Sequence, residues 1–97
     1  MPFVYEVTLA EEAPQPNYLF TQQLVPTGTL VGTGQNIAVL SNGKEEFHLR
    51  APLQGLLVEW LAASGDQLSP EEAVARIVAE GAERPVDAAT LVRIQPC

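Results

Sequence analysis

Lys44 is the residue of this sequence best suited to carry chemistry, because it is the only lysine among 97 residues. It lies between two apolar runs, Asn36 to Leu40 and Phe47 to Leu49. Apolar runs that flank a short polar segment with glycine predict a β-hairpin, and Lys44 then stands in its turn. A single primary amine at a hairpin tip suits the covalent attachment of a group by another enzyme. The first hypothesis is therefore a carrier domain.

The other reactive residues give no second centre. His48 is the only histidine and Cys97 the only cysteine, so a zinc site or a Cys-His catalytic pair is not expected. Glu45 and Glu46 are interpreted as a solvated pair rather than catalytic acids. These residues therefore predict no catalytic constellation. One cysteine allows no internal disulfide, and the N-terminus lacks the basic region of a signal peptide, so a cytoplasmic location is predicted.

Composition narrows the partners. The chain is 46% hydrophobic and only 18% charged, which predicts one small folded domain. Its net charge of −7 argues against nucleic acid and anionic membranes as partners and favours basic protein surfaces. No apolar run is long enough for a transmembrane helix, so no membrane span is expected.

The elements around Lys44 read as strands. Apolar residues alternate in Phe3 to Leu9, and later runs are rich in β-branched and aromatic residues between turns of glycine and proline. A loop with two prolines is predicted over 11–17. The predicted strands or short extended pieces are 3–9, 18–25, 29–31, 36–41, 47–49, 56–62 and 67–68.

Two registers are open for the hairpin. If Gly43 and Lys44 are the central turn residues, the pairs are Leu40 with Phe47, Val39 with His48, Ala38 with Leu49 and Ile37 with Arg50. If Asn42 and Gly43 are central, Leu40 instead faces Glu45. The first register collects apolar pairs on one face and puts glycine first, as a type II′ turn requires, so we favour it. Asn-Gly is itself a type I′ signal for the alternative.

Residues 70–80 show conflicting signals. Ser69-Pro70-Glu71-Glu72 resembles a helix start, and Gly81 could end such a helix. A repeat favours a strand instead, because a shift of 37 positions superposes Gly28 on Gly65, Val31 on Leu68 and Ile37 on Val74. Asn36 to Leu40 then corresponds to Ala73 to Val78, and we predict a strand there.

The spacing of these residues resembles the biotinyl/lipoyl-carrier domain family over about residues 5–78. Lys44 lies ten residues after Gly34, seven before Ala51 and sixteen after Gly28, as the modified lysine does in that family. The matching segments are Gly28-Thr29-x-Val31-x-x-Gly34-Gln35-x-Ile37-Ala38, Ala51-Pro52-x-x-Gly55, Gly65-Asp66-x-Leu68 and Ala73-Val74-Ala75-x-Ile77.

The resemblance implies an all-β fold, a flattened β-barrel or sandwich of two four-stranded antiparallel sheets with a pseudo-twofold internal repeat. The modified lysine would lie on a β-turn at one end and the termini at the other. Residues 1–79 would form this domain. Residues 80–97 would be an extension that packs on it, leaves from the end opposite Lys44 and contributes a further strand or short helix over 88–94.

The resemblance also implies that the domain is not itself an enzyme, and it implies a function. A lipoate ligase or a biotin ligase would acylate Lys44 within an attachment turn of Ser41, Asn42, Gly43 and Glu45, and Gly28 would help the ligase to recognise the domain. The cofactor would then swing between enzyme subunits of a multi-enzyme complex. Gly28 and the absence of methionines beside Lys44 favour a lipoyl group over biotin. A domain without any cofactor that serves as a protein-interaction module is the third hypothesis.

Overall fold

The computed structural model describes residues 1–9, 17–69 and 72–94. These residues form nine β-strands and no helix, which confirms the all-β class. Within them, accordingly, nothing resembles a membrane-spanning helix. Most of the predicted loop over 11–17 and the residues Pro70, Glu71 and Cys97 lie outside the described part. The strands are β1 (Phe3–Thr8), β2 (Tyr18–Gln23), β3 (Leu30–Val31), β4 (Asn36–Ser41), β5 (Glu46–Arg50), β6 (Gly55–Trp60), β7 (Gln67–Leu68), β8 (Ala73–Ala79) and β9 (Thr90–Arg93).

The strands form two antiparallel sheets that pack as a sandwich. One sheet has the order β1-β8-β6-β3, and the other has the order β7-β2-β4-β5-β9. The second sheet has five strands rather than the predicted four. The fifth is β9, which pairs with the outer side of β5 from Phe47↔Arg93 to Arg50↔Thr90. The extension thus satisfies backbone groups of β5 that a four-stranded sheet would leave unpaired at its edge.

The internal repeat is confirmed by the strand bounds. A shift of 37 positions carries Tyr18–Gln23 onto Gly55–Trp60, Leu30–Val31 onto Gln67–Leu68, and β4 onto residues 73–78 of β8. The sheet order β3-β6-β8-β1 thereby matches β7-β2-β4-β5. Two of the β-bulges also correspond, one after Phe20 in β2 and one after Leu57 in β6. The two halves are therefore related by a pseudo-twofold axis.

Backbone hydrogen bonds between the halves follow the same symmetry. The amide of Gly28 donates to the carbonyl oxygen of Leu57 at 2.7 Å, and the amide of Gly65 donates to that of Phe20 at 2.8 Å. Both glycines have a left-handed φ, +91° and +97°. Residues with a side chain rarely adopt this conformation, which explains glycine at both positions.

Residues 73–79 form a strand, as the repeat predicts, and not the helix that the capping signals favour. β8 lies between β1 and β6, so its backbone is hydrogen-bonded on both sides. Its inward side chains are completely buried, Val74 and Ile77 among them. Pairing on two sides and burial of apolar side chains outweigh the local helix signals.

The core lies between the two sheets and consists of aliphatic and aromatic side chains. Trp60 and Phe47 pack against it while partly exposed. The strand predicted over 56–62 is confirmed as β6, which ends at Trp60, but the burial that its apolar composition indicates is wrong for one of its faces. Leu56 and Val58 are 40% and 41% exposed, because β6 buries only one of its faces.

Candidate functional site

The hairpin of β4 and β5 has a two-residue turn with Gly43 and Lys44 at its centre. The amide of Asn42 donates to the carbonyl oxygen of Glu45 at 3.1 Å and closes this turn. The strands pair Leu40 with Phe47, Val39 with His48 and Ala38 with Leu49, which confirms the favoured register.

The fourth predicted pair, Ile37 with Arg50, is wrong. A bulge between Asn36 and Ala38 shifts the register, so that Arg50 faces Asn36. Nε of Arg50 donates to Oδ1 of Asn36 at 3.3 Å, while Ile37 is completely buried. The bulge thus lets the apolar side chain stay in the core while the charged one reaches a polar partner at the surface.

Gly43 determines the conformation of the turn. Its φ is +95°, and a Cβ at this position would meet no heavy atom within 4 Å. The glycine is therefore required by its backbone conformation rather than by space. A left-handed first residue is characteristic of the primed turns that join twisted strands, and it leaves Lys44 as the exposed second residue of the turn.

The backbone amides of the turn are bound by side chains of the same segment. Oγ of Ser41 accepts from the amide of Gly43 at 3.1 Å. Oδ1 of Asn42 accepts from the amides of Lys44 and Glu45, at 2.9 and 2.8 Å. Such local bonds are typical of Asx and ST turns and fix the backbone of the tip. The four predicted attachment-turn residues are thus brought together around Lys44.

Glu45 is held by the C-terminal strand. Its Oε2 lies 2.7 Å from an Nη atom of Arg93 in β9, in an ion pair exposed to solvent. The next amide, that of Ile94, donates to the carbonyl oxygen of Glu46 at 2.8 Å. The three ion pairs found among the described residues leave out Lys44, so its ammonium group is not held by a carboxylate of that part of the chain.

The same contacts correct the expected course of the extension. The chain termini were predicted to lie at the end opposite Lys44. β9 begins beside Arg50, away from the turn, but it runs antiparallel to β5 and brings Ile94 beside Glu46. The described C-terminal residues therefore lie next to the lysine turn. The sequence suggested a strand over 88–94 as one alternative. It did not indicate the partner of this strand, because β5 and β9 are far apart in the chain. Arg93 was accordingly missed.

A cleft of about 250 Å³ lies beside the turn, lined by Asn17, Tyr18, Leu19, Ser41, Asn42, Gly43 and Gln67. Tyr18 is only 1% exposed and packs edge-on against Phe47, with ring centroids 5.7 Å apart. Its hydroxyl has no hydrogen-bond partner among the described residues. This cleft forms between β2, β7 and the hairpin, segments that are far apart in the chain, so it was not predicted from the sequence.

The backbone hydrogen bond of Gly28 is made with a residue outside the lysine hairpin. Gly28 bonds to Leu57 of the other sheet, and its left-handed φ accounts for the glycine without a partner protein. Its part in ligase recognition stays a prediction.

Other chemistry is sparse in the described residues. They contain no group of three or more histidine, cysteine or acidic side chains that could hold a metal ion. Burial raises the pKa of Tyr5 to about 12, against a smaller opposing effect of the hydrogen bond that its hydroxyl donates to the carbonyl oxygen of Leu53. This tyrosine belongs to the core and not to the hairpin.

Comparison with known proteins gives no relative: no family model, no curated protein and no solved structure matches this chain. The resemblance to biotinyl/lipoyl carriers therefore rests on residue spacing, and function has to be argued from the hairpin itself.

Proposed function

We propose that this chain is a carrier domain in which a lipoate ligase attaches a lipoyl group to Lys44. The lipoyl arm would then move between enzyme subunits of a multi-enzyme complex. One observation carries the proposal: an exposed lysine, the only one in the chain, is the second central residue of a tight hairpin turn.

The attachment reaction needs little from the carrier. In its neutral form Nζ of Lys44 attacks the carbonyl carbon of a lipoyl-adenylate, an amide bond forms, AMP leaves with the bonding electrons, and the amine loses a proton. The ligase supplies the activated acyl group and the base. The carrier supplies an accessible amine in a fixed position, so this domain is the substrate of an enzyme and no catalytic residue is assigned to it.

The construction of the turn supports this role. Ser41 and Asn42 bind the amides of the tip, so the backbone below the lysine is fixed while the side chain remains in solvent. Arg93 partly neutralises Glu45, which reduces the repulsion that this carboxylate would exert on an acyl-adenylate. A fixed base with a long free arm raises the effective concentration of the cofactor at nearby active sites.

Biotin is the alternative cofactor, for a carboxylase or decarboxylase, because its ligase forms the same amide bond. The residues beside Lys44 are Gly43 and Glu45 rather than methionines, which supports the lipoyl group. A cytoplasmic location goes with either role and is supported by the single cysteine.

The test is intact-mass spectrometry of the protein produced in its native host or with a lipoate ligase, a biotin ligase, ATP and both acids. We expect a lipoyl-sized mass increase in the natural chain and none in Lys44→Arg, which keeps the charge but cannot be acylated. Arg50→Lys serves as a matched control, because it offers a second exposed amine on β5 outside the turn. This second amine should remain unmodified, so the variant should gain only one lipoyl group. Unmodified natural protein under these conditions refutes the proposal, and a biotin-sized increase replaces it with the alternative.

A further inference from the structure

The outer face of the four-stranded sheet carries a continuous apolar row. Val4 pairs with Val78, Val78 with Leu56, and Leu56 with Leu30, so the four side chains cross all four strands in direct register. Val4, Leu56 and Leu30 are 56%, 40% and 66% exposed, and Val78 is half-buried. The solvent side of an antiparallel sheet normally carries polar residues, so this aliphatic row requires a reason.

The pseudo-twofold axis shows that the fold does not require an apolar row. The corresponding row of the other sheet runs from Gln67 through Leu19 and Ser41 to Glu46, and three of its four residues are polar. This polar row borders the lysine turn. Equivalent backbone positions therefore carry different chemistry, which indicates that the apolar row has a role of its own.

A cavity of about 510 Å³ lies along the same row, twice the volume of the cleft beside the lysine turn. Its lining includes four aliphatic residues, Leu30, Leu53, Leu56 and Val78. Two charged residues, Glu80 and Arg84, also line it. A concave apolar surface of this size can receive aliphatic side chains of a partner.

The charged side chains around the row are three carboxylates, Glu6, Glu59 and Glu80, and two guanidiniums, Arg76 and Arg84. Beside it runs a second outward row in which Arg76 bonds to both Glu6 and Glu59, at 3.2 and 2.6 Å, so two carboxylates share one guanidinium. Glu80 adds a further carboxylate, while Arg84 lies 5.4 Å from the centre of the Phe3 ring. Among these side chains the carboxylates exceed the guanidiniums by one, and both guanidiniums already have a partner, Arg76 the two glutamates and Arg84 the Phe3 ring.

We propose that the row Val4–Val78–Leu56–Leu30 is a docking surface for a protein segment with aliphatic side chains between lysines or arginines. The leucines and valines would be covered by the aliphatic groups, and the carboxylates at the border would attract the cations. A second copy of this chain fits less well, because it would bring the same acidic border and its own charge of −7. The proposal does not depend on the modification of Lys44.

The test titrates three short capped peptides into the protein by calorimetry. The first alternates lysine with leucine, the second lysine with serine, and the third glutamate with leucine. The row variant combines Leu30→Ser with Leu56→Ser. The control combines Leu24→Ser with Leu61→Ser, two leucines outside the row that are 38% and 37% exposed, close to the 40% of Leu56. Thermal unfolding checks that all variants are folded, and Leu30→Ser alone replaces the row variant if the latter is not.

We expect the lysine–leucine peptide to bind the natural chain and the control equally, and the row variant about tenfold more weakly. The lysine–serine and glutamate–leucine peptides should bind weakly or not at all. The affinity of the lysine–leucine peptide should decrease as the salt concentration rises. Equal binding to row variant and control overturns the proposal, and so does equal binding of the acidic and basic leucine peptides or no binding at all. A dimer of the natural chain that the row variant separates, seen by sedimentation, would assign the surface to a second copy instead.

Discussion

Gly55, the first residue of β6, is the glycine at which an added methyl group should destabilise the fold most. A Cβ there would lie 2.5 Å from both Cγ2 of Ile77 and the carbonyl oxygen of Val78. Ordinary contacts are about 3.5–4.0 Å, so something must move by roughly 1 Å. The obstacle is the backbone of β8, which is paired on both sides. Overpacking of this kind costs about 1–3 kcal/mol, and we expect Gly55→Ala to lower the free energy of unfolding by about 2 kcal/mol.

Gly32→Ala is the matched control. The nearest heavy atom to a Cβ at this position is Oε1 of Gln35 at 3.9 Å, and Gly32 does not have a left-handed φ. Its stability should therefore stay within about 1 kcal/mol of the natural chain. Urea and thermal unfolding of both variants measure the difference, for which about 2 kcal/mol corresponds to about 10 °C in Tm. If Gly55→Ala is as stable as Gly32→Ala, the packing argument is refuted.

Two further predictions concern the hairpin and the core. Asn42→Ala removes the side-chain oxygen that accepts from the amides of Lys44 and Glu45. Hydrogen exchange of these two amides, measured by NMR, should become about tenfold faster with little change in global stability. Unchanged exchange rates would show that Asn42 does not fix the tip. Because the pKa of Tyr5 is raised to about 12 from an ordinary 10, the folded state keeps its proton longer than the unfolded chain does. This contribution to stability is complete below about pH 10 and is lost as the pH rises towards 12, so urea midpoints should fall more steeply there in the natural chain than in Tyr5→Phe. Parallel curves would contradict this.

Much of the lysine hairpin follows from local sequence. Gly43 takes the left-handed position of the turn, and of the two registers open to the hairpin only one pairs apolar residues with each other. Neighbouring residues therefore favour the observed position of Lys44. The internal repeat also follows from the sequence, because glycine and apolar positions recur after 37 residues and the strand bounds recur with them. Since the repeat relates whole strands, it predicted the strand at 73–78 where the local capping signals indicated a helix.

Contacts between residues distant in sequence could only be decided by the tertiary structure. The pairing of β9 with β5, and with it the contact of Arg93 with Glu45, depends on an edge that becomes available only when the sheet is formed. The bulge opposite Arg50 likewise depends on which side chain the core accepts.

The apolar row of the four-stranded sheet depends most on tertiary structure, because it joins four strands that are not consecutive in the chain. In the sequence, Val4, Leu30, Leu56 and Val78 are ordinary alternating strand residues, and nothing in their spacing indicates that they meet. Periodicity tells only that a strand has two faces. Which face is buried, and which residues of other strands lie beside it, is decided by register and packing of the whole sandwich. The sequence thus determines the lysine turn through local geometry, while the outer surface results from long-range strand pairing.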